Sequence, residues 1–110
     1  MRSISCSTDE MTNKHLEVMA WCLARYFGYA IDEAVDAVER YYASFKHIHD
    51  DWFYQHEGPY WMALRVHFVQ SLKGNSDRFH LWRVDNGYRD IPQESEYFDY
   101  FRQHCFDELS

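Results

Sequence analysis

Proline and glycine are scarce in this 110-residue chain, two and four residues, and they fall between periodic segments. A chain so poor in both is expected to be helical, with few connections. Cysteine is also scarce: Cys6, Cys22 and Cys105 form an odd, irregularly spaced set, which excludes a disulfide framework. No apolar run approaches the ~18 residues of a membrane helix. The opening MRSISCSTDEMTNKH lacks the apolar stretch of a secretory or lipoprotein signal, so a reducing cytoplasm is the expected location. Basic charge is short as well, 11 Lys and Arg against 18 Asp and Glu, for a net charge of −7. Arg78, Arg83 and Arg89 are offset by Asp77, Asp85 and Asp90, so there is no nucleic-acid footprint. Paired-cysteine and H-E-x-x-H zinc signatures, G-x-S-x-G, the P-loop and the dinucleotide fingerprint are all missing.

Aromatic residues, by contrast, make up 19% of the chain. Large rings bury large areas. A chain of this length hides roughly 65% of its open-chain surface on folding. One domain, residues 1–110, with a real core and no need for metal or disulfides is therefore expected, its first seven residues flexible. The segment Tyr41 to Phe68 is the densest, with nine aromatic residues and four of the seven histidines.

Periodicity places the helices. The first is expected over about Asp9–Phe27, capped by Ser7 or Thr8, with Leu16, Met19, Ala20, Leu23, Tyr26 and Phe27 inward and Gly28 ending it. The second starts near Ile31 with the stripe Ile31, Ala34, Val35, Val38, Tyr41, Tyr42, Phe45, Ile48 and Trp52. If unbroken to His56 it would be about 39 Å long, more than the roughly 34 Å width of a compact chain of this size. A break near His47–Asp51 is expected, with Asp50 or Asp51 capping a short following helix; the alternative is a projecting helix that pairs with a second copy in a homodimer. Gly58-Pro59 starts a third helix running to about Leu72, with an apolar arc broad enough for a central position. Residues 77–85 read as a short helix ended by Asn86-Gly87, or else as a hairpin. A last helix is expected over about Gln93–Leu109, burying Phe98, Phe101, Cys105 and Leu109. The fold class is thus all-α, an irregular bundle of four main helices plus one or two short ones.

The chemistry-bearing residues give weaker signals. His47 and Asp51 are four apart and could share a metal ion on one helix, but His47 and His49 diverge by about 200° and cannot both join it. Capping acids and surface histidines are the simpler account. His104 and Cys105 diverge as neighbours, and His15 and Cys22 are about 10 Å apart along a helix, beyond thiol–imidazole reach. Cys22 and Cys105 read as small core residues. Arg65 falls between Leu72 and Val69 on the apolar arc. Its guanidinium could snorkel to water, pair with Asp50, Asp51 or Glu57 in the core, or serve as an anion contact. Tyr41, Phe45, Trp52, Trp61, Phe68, Phe79, Trp82, Phe98 and Phe101 are expected mostly inside. Tyr29, Tyr54, Tyr88 and Tyr100 fall off the stripes and are expected at the surface.

Two functional classes follow. The first is a non-enzymatic acidic interaction protein that binds a protein partner as an inhibitor, antitoxin-like or immunity-like factor, in size and economy a compact bacterial accessory protein. No nucleic acid, membrane or cofactor is expected. The second is a small-molecule module or small enzyme with a pocket of Trp52, Tyr54, His56, Tyr60, Trp61 and Arg65. In an enzyme, His56 or Glu57 would be the acid or base.

Overall fold

Asp9 starts the first helix. Its carboxylate accepts the backbone N–H groups of Met11 (2.9 Å) and Thr12 (3.3 Å), which have no partner inside the helix. Ser7, expected as the cap, braces it instead by accepting the Asp9 N–H. The helix, α1, runs Glu10–Phe27 and ends at Gly28, whose φ of 78° is the left-handed conformation that glycine adopts without strain. In this computed structural model, which describes residues 3–88, 90–93 and 95–106, five more α-helices follow: α2 Ile31–Phe45, α3 Asp51–Glu57, α4 Pro59–Val66, α5 Phe79–Asp85 and α6 Ser95–Cys105. No strand occurs among the described residues, and the chain is an all-α bundle. No described helix is long and apolar enough to cross a membrane.

The second apolar stripe breaks where compactness requires. α2 ends at Phe45, a turn follows, and Asp50 caps α3 by accepting the Phe53 N–H at 2.9 Å. Residues 31–56 therefore do not form the single long helix of the alternative reading. The break also separates His47, in the turn, from Asp51, on α3. The shared helical face that made them a metal pair therefore does not form, and Asp51 accepts the Ser7 hydroxyl. Among the described residues, no group of three or more His, Cys, Asp or Glu is placed to hold an ion.

α4 is shorter than its apolar run. At His67 the backbone widens into a five-residue π turn, His67–Ser71, instead of continuing as α-helix to Leu72. Gly74 follows, packed so closely on the Phe68 ring that a Cβ would overlap it. Residues 76–85 form helix, a 3₁₀ turn over Ser76–Arg78 leading into α5, rather than a hairpin. Arg89, Glu94 and the expected end of the last helix, including Leu109, lie outside the described residues.

α1 is the hub, packed against α2, α3, α4 and α6. The main core takes Leu16, Met19, Leu23, Val35, Val38, Tyr41, Tyr54 and Met62. A smaller core of Leu64, Phe68 and Phe79 lies beside Trp61 and Trp82. Of the leading segment expected to be flexible, Ile4 and Ser7 are docked. Ile4 is buried, and its N–H meets one Glu17 oxygen at 2.7 Å while His104 meets the other at 2.5 Å. One carboxylate thus ties the start of the described chain to α6.

Candidate functional site

Arg65 is the most unusual group in the interior. The residue is 7% exposed, and its Cζ lies 4.5 Å from the centre of the Phe79 ring and 5.9 Å from that of Phe53. Its Nη2 is 3.9 Å from Glu57 Oε1, and its Nε has no hydrogen-bond partner among the described residues. The guanidinium does not snorkel to water. Among the described residues its carboxylate partner is Glu57, whose side chain is 34% exposed, so the pair lies at the edge of the core, with two rings against the guanidinium. Nearby, the Tyr41 hydroxyl and His49 Nε2 are hydrogen-bonded at 3.1 Å. Burial pushes the Tyr41 phenol up to about 12. Burial, then the Arg65 charge, lowers the His49 pKa below its ordinary value.

The other residues of the expected pocket do not converge with Arg65 on one cavity. Tyr54, expected at the surface, is fully buried, and its hydroxyl has no hydrogen-bond partner among the described residues. Tyr60 is buried against Tyr26, Phe27 and Tyr97. The Trp61 ring is covered by the Arg83 guanidinium at 4.4 Å. Trp52, expected in the core, is 65% exposed, and its ring stacks on His56 at 4.4 Å. The cause is the restart of the helix at Gly58-Pro59: Tyr60 and Trp61 face the hub and α5, while Trp52 and His56 share the outer face of α3. Ile48, in the turn before α3, is 64% exposed as well. Ile31, Leu72 and Phe98 also stand outside the core expected for them.

Cys105 Sγ lies 3.8 Å from His15 Nδ1, a pairing that neither sequence neighbour of these residues suggested. It is not an activated thiol. His15 Nδ1 donates to the Met11 carbonyl oxygen at 2.9 Å, so that nitrogen carries its proton and cannot take one from sulfur. Burial pushes the Cys105 thiol up to about 12 and lowers the His15 imidazole. Burial thus disfavours the thiolate needed for attack.

A cleft of about 200 Å³ opens between α2 and the π turn. Tyr29, Glu33, Asp36, Arg40, Ser71 and Lys73 line it. The Tyr29 hydroxyl is 2.8 Å from His67 Nδ1 and also hydrogen-bonds to Ser71 Oγ. His67 stacks on Phe27 at 5.3 Å, and its burial lowers its pKa. In sequence, His67 and Ser71 fall within the run expected as one continuous third helix. That run carries no signal for the π turn that aims His67 and Ser71 at the same tyrosine.

No protein-family model, curated protein or solved structure matches the chain.

Proposed function

We propose that this protein is a non-enzymatic interaction protein, and that a protein partner docks on the turn joining α2 to α3. The observation that carries the reading is the outward display of Ile48 and Trp52, 64% and 65% exposed, in a chain whose described large apolar residues are, apart from seven, buried or half-buried. Tryptophan in the centre of an apolar patch is a frequent binding hot spot. Asp50 and Asp51 stand between Ile48 and Trp52 in the sequence, and the chain as a whole carries −7. The complementary partner presents an apolar pocket with a basic rim, and charge speeds the encounter. Inhibitors, antitoxins and immunity factors work by such masking contacts. The absence of an activated nucleophile at Cys105 and the scatter of the expected pocket residues favour this over an enzyme centred on residues 52–65.

The test places a photo-crosslinking residue at exposed Lys46 and compares the chain with the Ile48→Asp, Trp52→Asp double variant in cells. The reading expects a discrete crosslinked protein of basic surface that the double variant no longer captures, at unchanged thermal stability. Identical crosslinks from both chains, or crosslinks to a second copy alone, would overturn it.

A further inference from the structure

We infer that the turn between α2 and α3 is a pH-sensitive clasp: protonation of His49 unstacks its ring and changes the display of Ile48 and Trp52. The effect on a partner rests on the docking reading above; the opening of the turn does not.

The His49 ring joins the end of one helix to the start of the next. On the α2 side it stacks on Phe45 at 5.5 Å, and its Nε2 is 3.1 Å from the Tyr41 hydroxyl. On the α3 side it stacks on Phe53 at 4.1 Å and meets the Tyr54 ring edge-on at 6.0 Å. One half-buried imidazole thus closes the turn, with Ile48 beside it in sequence and Trp52 on the first turn of α3.

The groups around the ring make that closure depend on its staying neutral. Arg65 of α4, Glu57 of α3 and Asp50 of the turn all act on its charge. Tyr41 of α2 and Tyr54 of α3 are phenols whose ionisation burial opposes. Arg65 and His49 share the Phe53 ring, the guanidinium carbon lying 5.9 Å from its centre. Arginine keeps its proton in proteins, and Arg65 is held in the core by α4. A protonated His49 therefore sets a second cation beside one that can neither discharge nor leave. The two carboxylates in range are already engaged, Glu57 with Arg65 at 3.9 Å and Asp50 with the Phe53 N–H at 2.9 Å. Protonation also makes both ring nitrogens donors, so Nε2 can no longer accept from the Tyr41 hydroxyl. Burial, then the Arg65 charge, lowers the imidazole pKa in keeping with this. The ring is free to swing out, because Ile48 and Asp50 on either side of it are exposed. In solvent its charge is hydrated and the repulsion is screened.

The experiment follows the isotope-labelled chain by NMR from about pH 7.5 to about pH 5.5. The His49 imidazole is expected to titrate below 6.5. As it does, its nuclear Overhauser contacts to the Phe45 and Phe53 rings should be lost, and the Ile48 and Trp52 amides should shift at the same midpoint. The contact between the stacked Trp21 and Tyr100 rings should persist, marking an intact bundle. His49→Phe keeps a ring in the stack without the titration and should abolish the Ile48 and Trp52 shifts. His47→Gln, at the exposed histidine of the same turn, should leave them in place. Thermal melts of both variants establish that they are folded. Ring contacts that persist once the imidazole is protonated, their loss only together with the Trp21–Tyr100 contact, or equal shifts in folded His49→Phe would overturn the inference. No arm contains a partner, so the result is read independently of docking.

Discussion

Arg65 and Phe79 are stacked cation on ring, 4.5 Å from Cζ to the ring centre, at the boundary between the two cores. The nearest carboxylate, Glu57, is 3.9 Å away with its side chain 34% exposed. An ion pair with one partner reaching water contributes about 0–1 kcal/mol, whereas a desolvated cation–π contact contributes about 2. Arg65→Met should therefore cost about 1–2 kcal/mol in urea unfolding, and Glu57→Gln less than about 1. A loss of about 3–5 kcal/mol in Arg65→Met would mean instead that a carboxylate is stranded in the core.

Tyr54→Phe should stabilise the fold or leave it unchanged. The ring is fully buried and its hydroxyl has no hydrogen-bond partner among the described residues. Burying an unsatisfied polar group costs about 1–3 kcal/mol, so its removal should raise the urea midpoint. A clear drop in midpoint would show that the hydroxyl is hydrogen-bonded in solution.

Gly74→Ala should destabilise. A Cβ at Gly74 would overlap the Phe68 ring, which is itself packed against Phe79 and Trp82 in the smaller core. Overpacking of this kind costs about 1–3 kcal/mol. Gly74→Ala combined with Phe68→Leu should cost less than the sum of the two separate changes, since the smaller side chain frees the space; strict additivity in thermal unfolding would count against the overlap.

Acid should loosen the fold before carboxylates titrate. Burial lowers the pKa of His15, His49 and His67 below the ordinary 6.5. The unfolded chain thus binds more protons than the folded one between those lowered values and 6.5. The stability held in the neutral rings is complete above about pH 6.5 and is lost as pH falls through that window. The urea midpoint should decline from about pH 7.5 to about pH 5.5, and His49→Phe should flatten part of that slope. A midpoint that is flat across this range in the unmodified chain would contradict the burial of the three rings.

Thiol labelling offers a simple check on α6. Cys6 is exposed, while Cys22 and Cys105 are buried. A maleimide should modify Cys6 promptly in the native protein and the other two only on unfolding. Prompt native labelling of Cys105 would show that α6 does not seal against α1.

Much of the fold was legible because helix signals are local. Gly28 and Pro59 sit at the helix boundaries expected of them, and the length of the second apolar stripe forced the break before Asp51. The π turn was not legible, since residues 67–72 keep an acceptable α-helical pattern. Nor was the placement of the rings. Trp52 and Phe98 lie on apolar stripes yet face outward, and Tyr54 lies off the stripe yet is fully buried. A stripe marks which residues share a side, but α3 is only seven residues long and its orientation is set by α1 and α4.

The residues alone therefore determined the all-α class, the main helix boundaries and the acidic balance, because capping, periodicity and charge act within a few positions along the chain. Tertiary structure decided that Arg65 is enclosed, that Trp52 is displayed and that Tyr29 meets His67 across 38 positions. Such pairings depend on how whole helices pack, a choice made by the summed burial of distant segments rather than by any local pattern.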